Sequence, residues 1–187
     1  MIPKGTIRKV GEYYFSNPKY RDEVFRGLKE FFGDNIPDND EPLFNEWMMY
    51  DFIFSDGKKM LEKFYEENPL SIPLYRREIY NTLTENHYGL FEVMKVIPFK
   101  GLSLRRLSDG KEFEVSEISA TMDLEIGDVF ITRVAMIIDH YQLVASDGKA
   151  IKSSQSKSKK EREAFMKSLS KVKMDTPKDA LIFYKFL

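Results

Sequence analysis

The sequence predicts an α+β protein: a layer of five helices, then a small five-stranded antiparallel barrel-like sheet, then C-terminal helices that pack back. Three observations carry this. Up to residue 86, large apolar side chains recur at helical spacing. From Leu90 the pattern shortens to runs rich in Val, Ile, Phe and Leu, partly alternating with charges, as in Phe113 and Val115 against Glu112 and Glu114. Beyond Gly148 the chain turns polar and lysine-rich. The organisation read from this is a helical region over 1–86, a β region over 87–150, and a basic linker with terminal helices over 151–187.

The elements follow in order. Thr6 to Ser16 forms a short helix with Ile7, Val10 and Tyr14 on one side. Asn17-Pro18 is a helix start, a capping residue followed by proline at the first helical position. The helix it starts runs over about 18–32, with Val24, Phe25, Leu28, Phe31 and Phe32 on its apolar face, and Gly33 ends it. After an acidic loop, the stretch from about 42 to 54 holds the chain's one tryptophan, Trp47, among Phe44, Met48, Phe52 and Phe54. A helix apolar on nearly every side belongs in an interior. Ser55-Asp56-Gly57 breaks it, and helices follow over 58–67 and about 72–86. Strands are read over 90–97, 102–107, 112–118, 129–138 and 141–145, of the size found in SH3-like or OB-like units. Ser153 to Ser158 reads as a linker, Lys159 to Val172 as an amphipathic helix, and Thr176-Pro177-Lys178-Asp179 as a capping box opening a last segment. The aromatic end of that segment leaves helix and strand both open.

With 187 residues, the chain fits one domain or two small ones. It contains no cysteine, which removes disulfides, thiolate nucleophiles and cysteine-ligated metals. Its two histidines, His87 and His140, do not make a usual zinc site, so no metal or cofactor is expected. The start of the chain has no apolar leader, and no run of about eighteen apolar residues occurs, which points to a cytoplasmic protein without membrane contact. The net charge of −1 hides an imbalance: residues 149–173 hold nine basic residues and two acids, a local +7, leaving −8 elsewhere.

Two constellations compete for a function. Lys157, Lys159, Lys160, Arg162 and Lys167 lie in the basic segment and suit phosphate or carboxylate contacts, with nucleic acid or an acidic protein as partner. Asp51 stands alone among apolar neighbours, where burial raises a carboxyl pKa unless a cation pairs with it. Arg76 is a partner for it, either as a structural ion pair or as part of an active site working with a histidine. No Gly-rich phosphate loop, nucleophile elbow or zinc-protease motif is present. Ser-Asp-Gly-Lys recurs at 55–58, 108–111 and 146–149, and turn chemistry accounts for all three.

Phe44-x-x-Trp47 followed by Asp51 and Gly57, then Tyr88-x-Leu90-Phe91-Glu92-Val93, then Leu124-x-x-Gly127-Asp128 and Arg133, resembles a set of uncharacterised prokaryotic proteins. Many of them carry a C-terminal SEC-C motif, a cysteine-containing zinc-binding segment. The resemblance implies helices followed by a β unit over about 40–146, and it implies no activity. The zinc segment has no counterpart here, where the lysine-rich tail stands instead. The reading that emerges is a non-enzymatic binding or adaptor module, with an enzyme built on Asp51 as the alternative.

Overall fold

The structure is a computed structural model that describes residues 5–34, 41–153 and 158–184. In chain order the helical part holds α1 (Thr6–Ser16), α2 (Arg21–Phe32), α3 (Glu41–Tyr50), α4 (Met60–Glu67) and α5 (Leu74–Thr82). The strands are β1 (Asn86–Ile97), β2 (Gly101–Arg106), β3 (Glu112–Ser116), β4 (Val129–Ile137) and β5 (His140–Ile151). Then come α6 (Lys159–Leu169) and α7 (Pro177–Tyr184). The chain is thus α+β, with five α-helices, five strands and two closing α-helices among the described residues. It divides into two compact units: residues 1–85 with 176–187, and residues 86–175. No helix among the described residues is long and apolar enough to cross a membrane.

Local chemistry sets the helix ends. Asn17 accepts the N–H of Lys19 at 3.0 Å, and with Pro18 this gives a single 3₁₀ turn, Pro18–Tyr20, ahead of α2. The tryptophan helix is shorter than its apolar pattern predicts. Asp51 and Phe52 both donate to the Trp47 carbonyl, at 2.8 and 3.0 Å, and the chain then leaves the helix. It turns through Ser55-Asp56-Gly57 and returns with Ile53 bridged to Lys59. Phe52 and Phe54 are buried from this irregular segment all the same. The helix expected over 72–86 is likewise cut to α5, because residues from Asn86 onward join β1.

The core of this unit is a chain of aromatic rings. Trp47 meets Phe31 and Phe52 at 5.2 Å, Phe52 meets Phe54 at 5.5 Å, and Tyr14 links Phe54 to Phe64. Such pairs add about 0.5–1.5 kcal/mol each beyond the area they bury. The last segment, open between helix and strand in the sequence, is a helix. Asp179 accepts the Thr176 N–H at 2.9 Å, so the capping signal is used as written. α7 belongs with the helical unit, packing on α3, and Lys178 bonds the Glu30 carbonyl while its ammonium lies 5.9 Å from the Trp47 ring centre.

In the second unit, hydrogen-bonded neighbours run β1-β2-β3-β5-β4 and back to β1, a closed ring. Four of the pairings are antiparallel, and β3 with β5 is parallel through the single pair Val115 and Tyr141. β3 alternates strictly, with Phe113 and Val115 inward and Glu112, Glu114 and Ser116 exposed. Phe91, Val93, Leu102, Leu104, Phe130 and Val134 complete the interior. The third Ser-Asp-Gly-Lys copy, expected to be a turn, runs within β5, where the ladder to β4 shifts register between Phe130 and Thr132. A bulge absorbs the residues that the partner strand cannot match.

β2 and β3 are joined tightly enough that position 101 admits only glycine. A Cβ there would stand 2.2 Å from the Val115 carbonyl oxygen, which is backbone of the paired strand. Gly101→Ala must push β2 from β3, and urea unfolding is expected to show a loss of about 2 kcal/mol or more, the scale of overpacking in a closed core.

Candidate anion-binding site

The basic segment becomes a defined object in α6. Ser158 caps it, its hydroxyl accepting the Glu161 N–H at 3.2 Å. Leu169 is buried, and Phe165, Met166 and Val172 are half-buried, so this side faces the protein. Lys160 and Lys167 occupy one stripe, about 10 Å apart along the axis, and Lys171 follows in the turn after the helix. All three are exposed, and none has an ion-pair partner among the described residues.

The other basic residues of this stretch are used by the fold. Arg162 turns inward to donate to the Gly127 carbonyl, and its guanidinium stands 3.8 Å from Glu92 of β1. Position 127 adopts φ 87°, and a Cβ there would come within 3.0 Å of Arg162 Nη2, so glycine serves both the turn and the close approach. Lys152 reaches Asp128 at 2.9 Å and also bonds the Asp123 carbonyl. Lys157 lies outside the described residues, and so does the side chain of Lys159. The five basic positions singled out in the sequence therefore divide: Lys160 and Lys167 are presented, while Arg162 is an anchor. Lys171, which was not among those five, joins the presented set.

The anchor centres on Asp128, whose side chain is fully buried. Oδ1 accepts the Ser153 N–H at 2.8 Å, and Oδ2 accepts the Glu125 N–H at 2.9 Å in addition to Lys152. Burial alone would raise its carboxyl pKa. The Ser153 N–H, the Lys152 ammonium and the Glu125 N–H outweigh that and hold it below the ordinary 3.8. Sequence reading marked Gly127-Asp128 as a turn but missed this role, because the partners sit 24 and 25 residues further along.

The alternative constellation is spread out. Asp51 is half-buried just beyond α3. Arg76 is exposed on α5 with its guanidinium 5.4 Å from the Tyr75 ring centre, and no ion pair among the described residues joins it to Asp51. His140 pairs with Asp139 at 2.6 Å in the β4–β5 hairpin and lies 2.7 Å from Gln142 Nε2. His87 stands on β1 between two cations, Arg106 and Lys111. No group of three or more His, Cys, Asp or Glu that would hold a metal ion occurs among the described residues.

Residues 29–184 match the model of a family described as a family of unknown function, DUF7986, and the chain belongs to that family. No curated protein and no solved structure matches it.

A carboxyl held below its ordinary pKa contributes stability that is complete well above that value and is lost as pH falls through the folded-state value. Asp128→Asn is therefore expected to cost about 2–3 kcal/mol at neutral pH, the worth of charge-assisted bonds to a buried group. Its deficit against the parent protein should shrink as urea unfolding is repeated at pH values falling below the ordinary 3.8.

Proposed function

We propose that this member of the DUF7986 family is a binding module whose α6 face contacts a nucleic-acid backbone. The observation that carries this is the division of the basic segment. Arg162 fixes the helix to the ring and Lys152 is held by Asp128, while Lys160, Lys167 and Lys171 stand exposed, with no ion-pair partner among the described residues. A helix so held presents its ammonium groups at fixed spacing, which favours repeated phosphates over an isolated counterion. Lysine acts there as a point charge that any phosphate satisfies, so contacts of this kind position without reading sequence.

The ring supports the same reading by what it displays. OB-type units bind strands on the β2–β3 face, commonly with aromatic stacking. Here the outward positions of β3 are Glu112, Glu114 and Ser116, and Glu92 and Arg105 pair beside them at the β1–β2 edge. The acidic outward positions of β3 do not suit a phosphate backbone, which favours α6 as the contact surface and sequence-independent binding as its mode.

The test is fluorescence anisotropy with labelled single-stranded and duplex oligonucleotides of unrelated sequence across a salt series. Affinity should not depend on sequence and should fall linearly with log salt. Replacing Lys160, Lys167 and Lys171 by Gln should flatten the slope by about 2, given roughly 0.7–0.9 per phosphate contact. Undetectable binding at low salt, an unchanged slope in the triple variant, or tighter binding to poly-glutamate would each overturn the reading.

A further inference from the structure

We propose that His87, Arg106 and Lys111 form a seat for a phosphate or similar oxyanion at the end of the ring where the β2–β3 hairpin turns. The two ring nitrogens of His87 each face a cationic donor: Nδ1 lies 3.4 Å from Arg106 Nη1, and Nε2 lies 3.3 Å from Lys111 Nζ. A neutral imidazole has one N–H and one lone pair, while arginine and lysine offer donors alone. Whichever nitrogen carries the proton, one of the two contacts is a hydrogen bond and the other sets donor against donor. A protonated ring would make both mismatched. An acceptor bearing negative charge, placed against the mismatched pair, converts it into two charge-assisted hydrogen bonds.

The acids nearby do not fill that role. Asp109 grips the far side of Arg106, with Nε to Oδ1 at 3.0 Å and Nη2 to Oδ2, and also accepts the Lys111 N–H at 3.1 Å. It makes no bond to Lys111 Nζ or to His87. Asp175 acts on Arg106 through its field alone. With Arg106 neutralised by Asp109, the Lys111 ammonium is left facing a neutral imidazole. Burial, reinforced by Lys111 and Arg106, keeps the His87 pKa below its ordinary 6.5.

The seat is also rigid and shaped. The hairpin is pinned by Arg106 N–H to the Lys111 carbonyl and Gly110 N–H to the Arg106 carbonyl, both at 2.9 Å. Phe113 forms the floor, its ring centre 5.0 Å from that of His87 and 5.1 Å from the Lys111 ammonium, and Tyr141 meets Phe113 edge-on. Phe113 is itself buried, so the seat admits a compact charged group and no stacked base. A Cβ built at Gly89 would stand 3.3 Å from both the Met174 carbonyl oxygen and Arg106 Cδ, so the segment leaving the lysine stripe passes beside the seat. On the reading of α6 given above, this would place one phosphate of a bound strand in it. The seat itself rests on the donor geometry and stands without that reading.

The experiment follows the His87 Cε1–Hε1 resonance of the full chain through a pH titration, first in chloride and then with inorganic phosphate. In chloride the midpoint should lie below 6.5. Phosphate should shift the resonance saturably and raise the midpoint, because a bound anion favours the imidazolium. His140, paired to Asp139, should not respond. Lys111→Gln should weaken phosphate about tenfold, the worth of one charge-assisted bond, with the parent's unfolding midpoint unchanged. A His87 titration indifferent to phosphate, or a Lys111→Gln variant that binds phosphate as the parent does, overturns the seat. An oligonucleotide that displaces phosphate from the seat would tie it to strand binding. One that binds α6 while phosphate stays in place assigns the seat to free phosphate or a phosphomonoester. Phosphate binding retained in the triple-lysine variant supports the seat even where oligonucleotide binding is lost.

Discussion

The second unit depends on a carboxylate taken fully out of water. Stripped of partners, Asp128 would be among the costliest groups a domain of this size can bury. It is tolerated because two backbone N–H groups and one ammonium converge on it from two chain segments: the turn before β4 and the pair of residues that follows β5. The adjoining backbone is fixed in the same way. The Asp128 carbonyl accepts the Val93 N–H at 2.8 Å, and the Gly127 N–H returns to the Val93 carbonyl at 2.7 Å. Ring closure and helix attachment therefore meet within two residues, since Gly127 also receives Arg162.

This has a bearing on charge. A segment with a local excess of +7 would ordinarily be expected to repel itself into an extended tail. Here two of its cations are spent on acceptors that the ring supplies, and this brings the rest into register on a helix. Structure and presentation are separated by side chain: the same stretch holds residues whose loss would unfold it and residues whose loss would leave it folded.

Much of this was legible. The helical periods, the glycine and Asx turns at 57 and 110, the capping box at Thr176 and the strict alternation of Glu112 to Ser116 appear in the structure where the sequence put them. The misreadings share one cause. The Trp47 helix was extended to 54 because Phe52 and Phe54 continue its apolar run, but burial there comes from a turn and a bridged strand. Asp147-Gly148 has the composition of a turn, yet it lies within β5 at the register shift of the ladder to β4, between the paired residues Ser146 and Ala150. The division between presented lysines and anchoring Arg162 was invisible for the same reason. Nothing within a few residues of Arg162 says that a carbonyl 35 residues earlier will receive it. The two cations beside His87 come from the β2–β3 hairpin, so no local spacing announces that cluster.

The place of α7 has a temporal consequence. The helical unit is interrupted in the chain by the 90 residues that make the ring unit, and its last helix packs on α3 beside Trp47. On a ribosome adding about 5–20 residues per second, five helices would therefore wait some seconds or more for the segment that covers them. The ring unit, continuous from Asn86 to Asp175, has no such wait. The order of completion is thus the reverse of the order of synthesis. The aromatic face that most distinguishes this sequence spends that interval uncovered, exposed to whatever in the cell attends to nascent apolar surface.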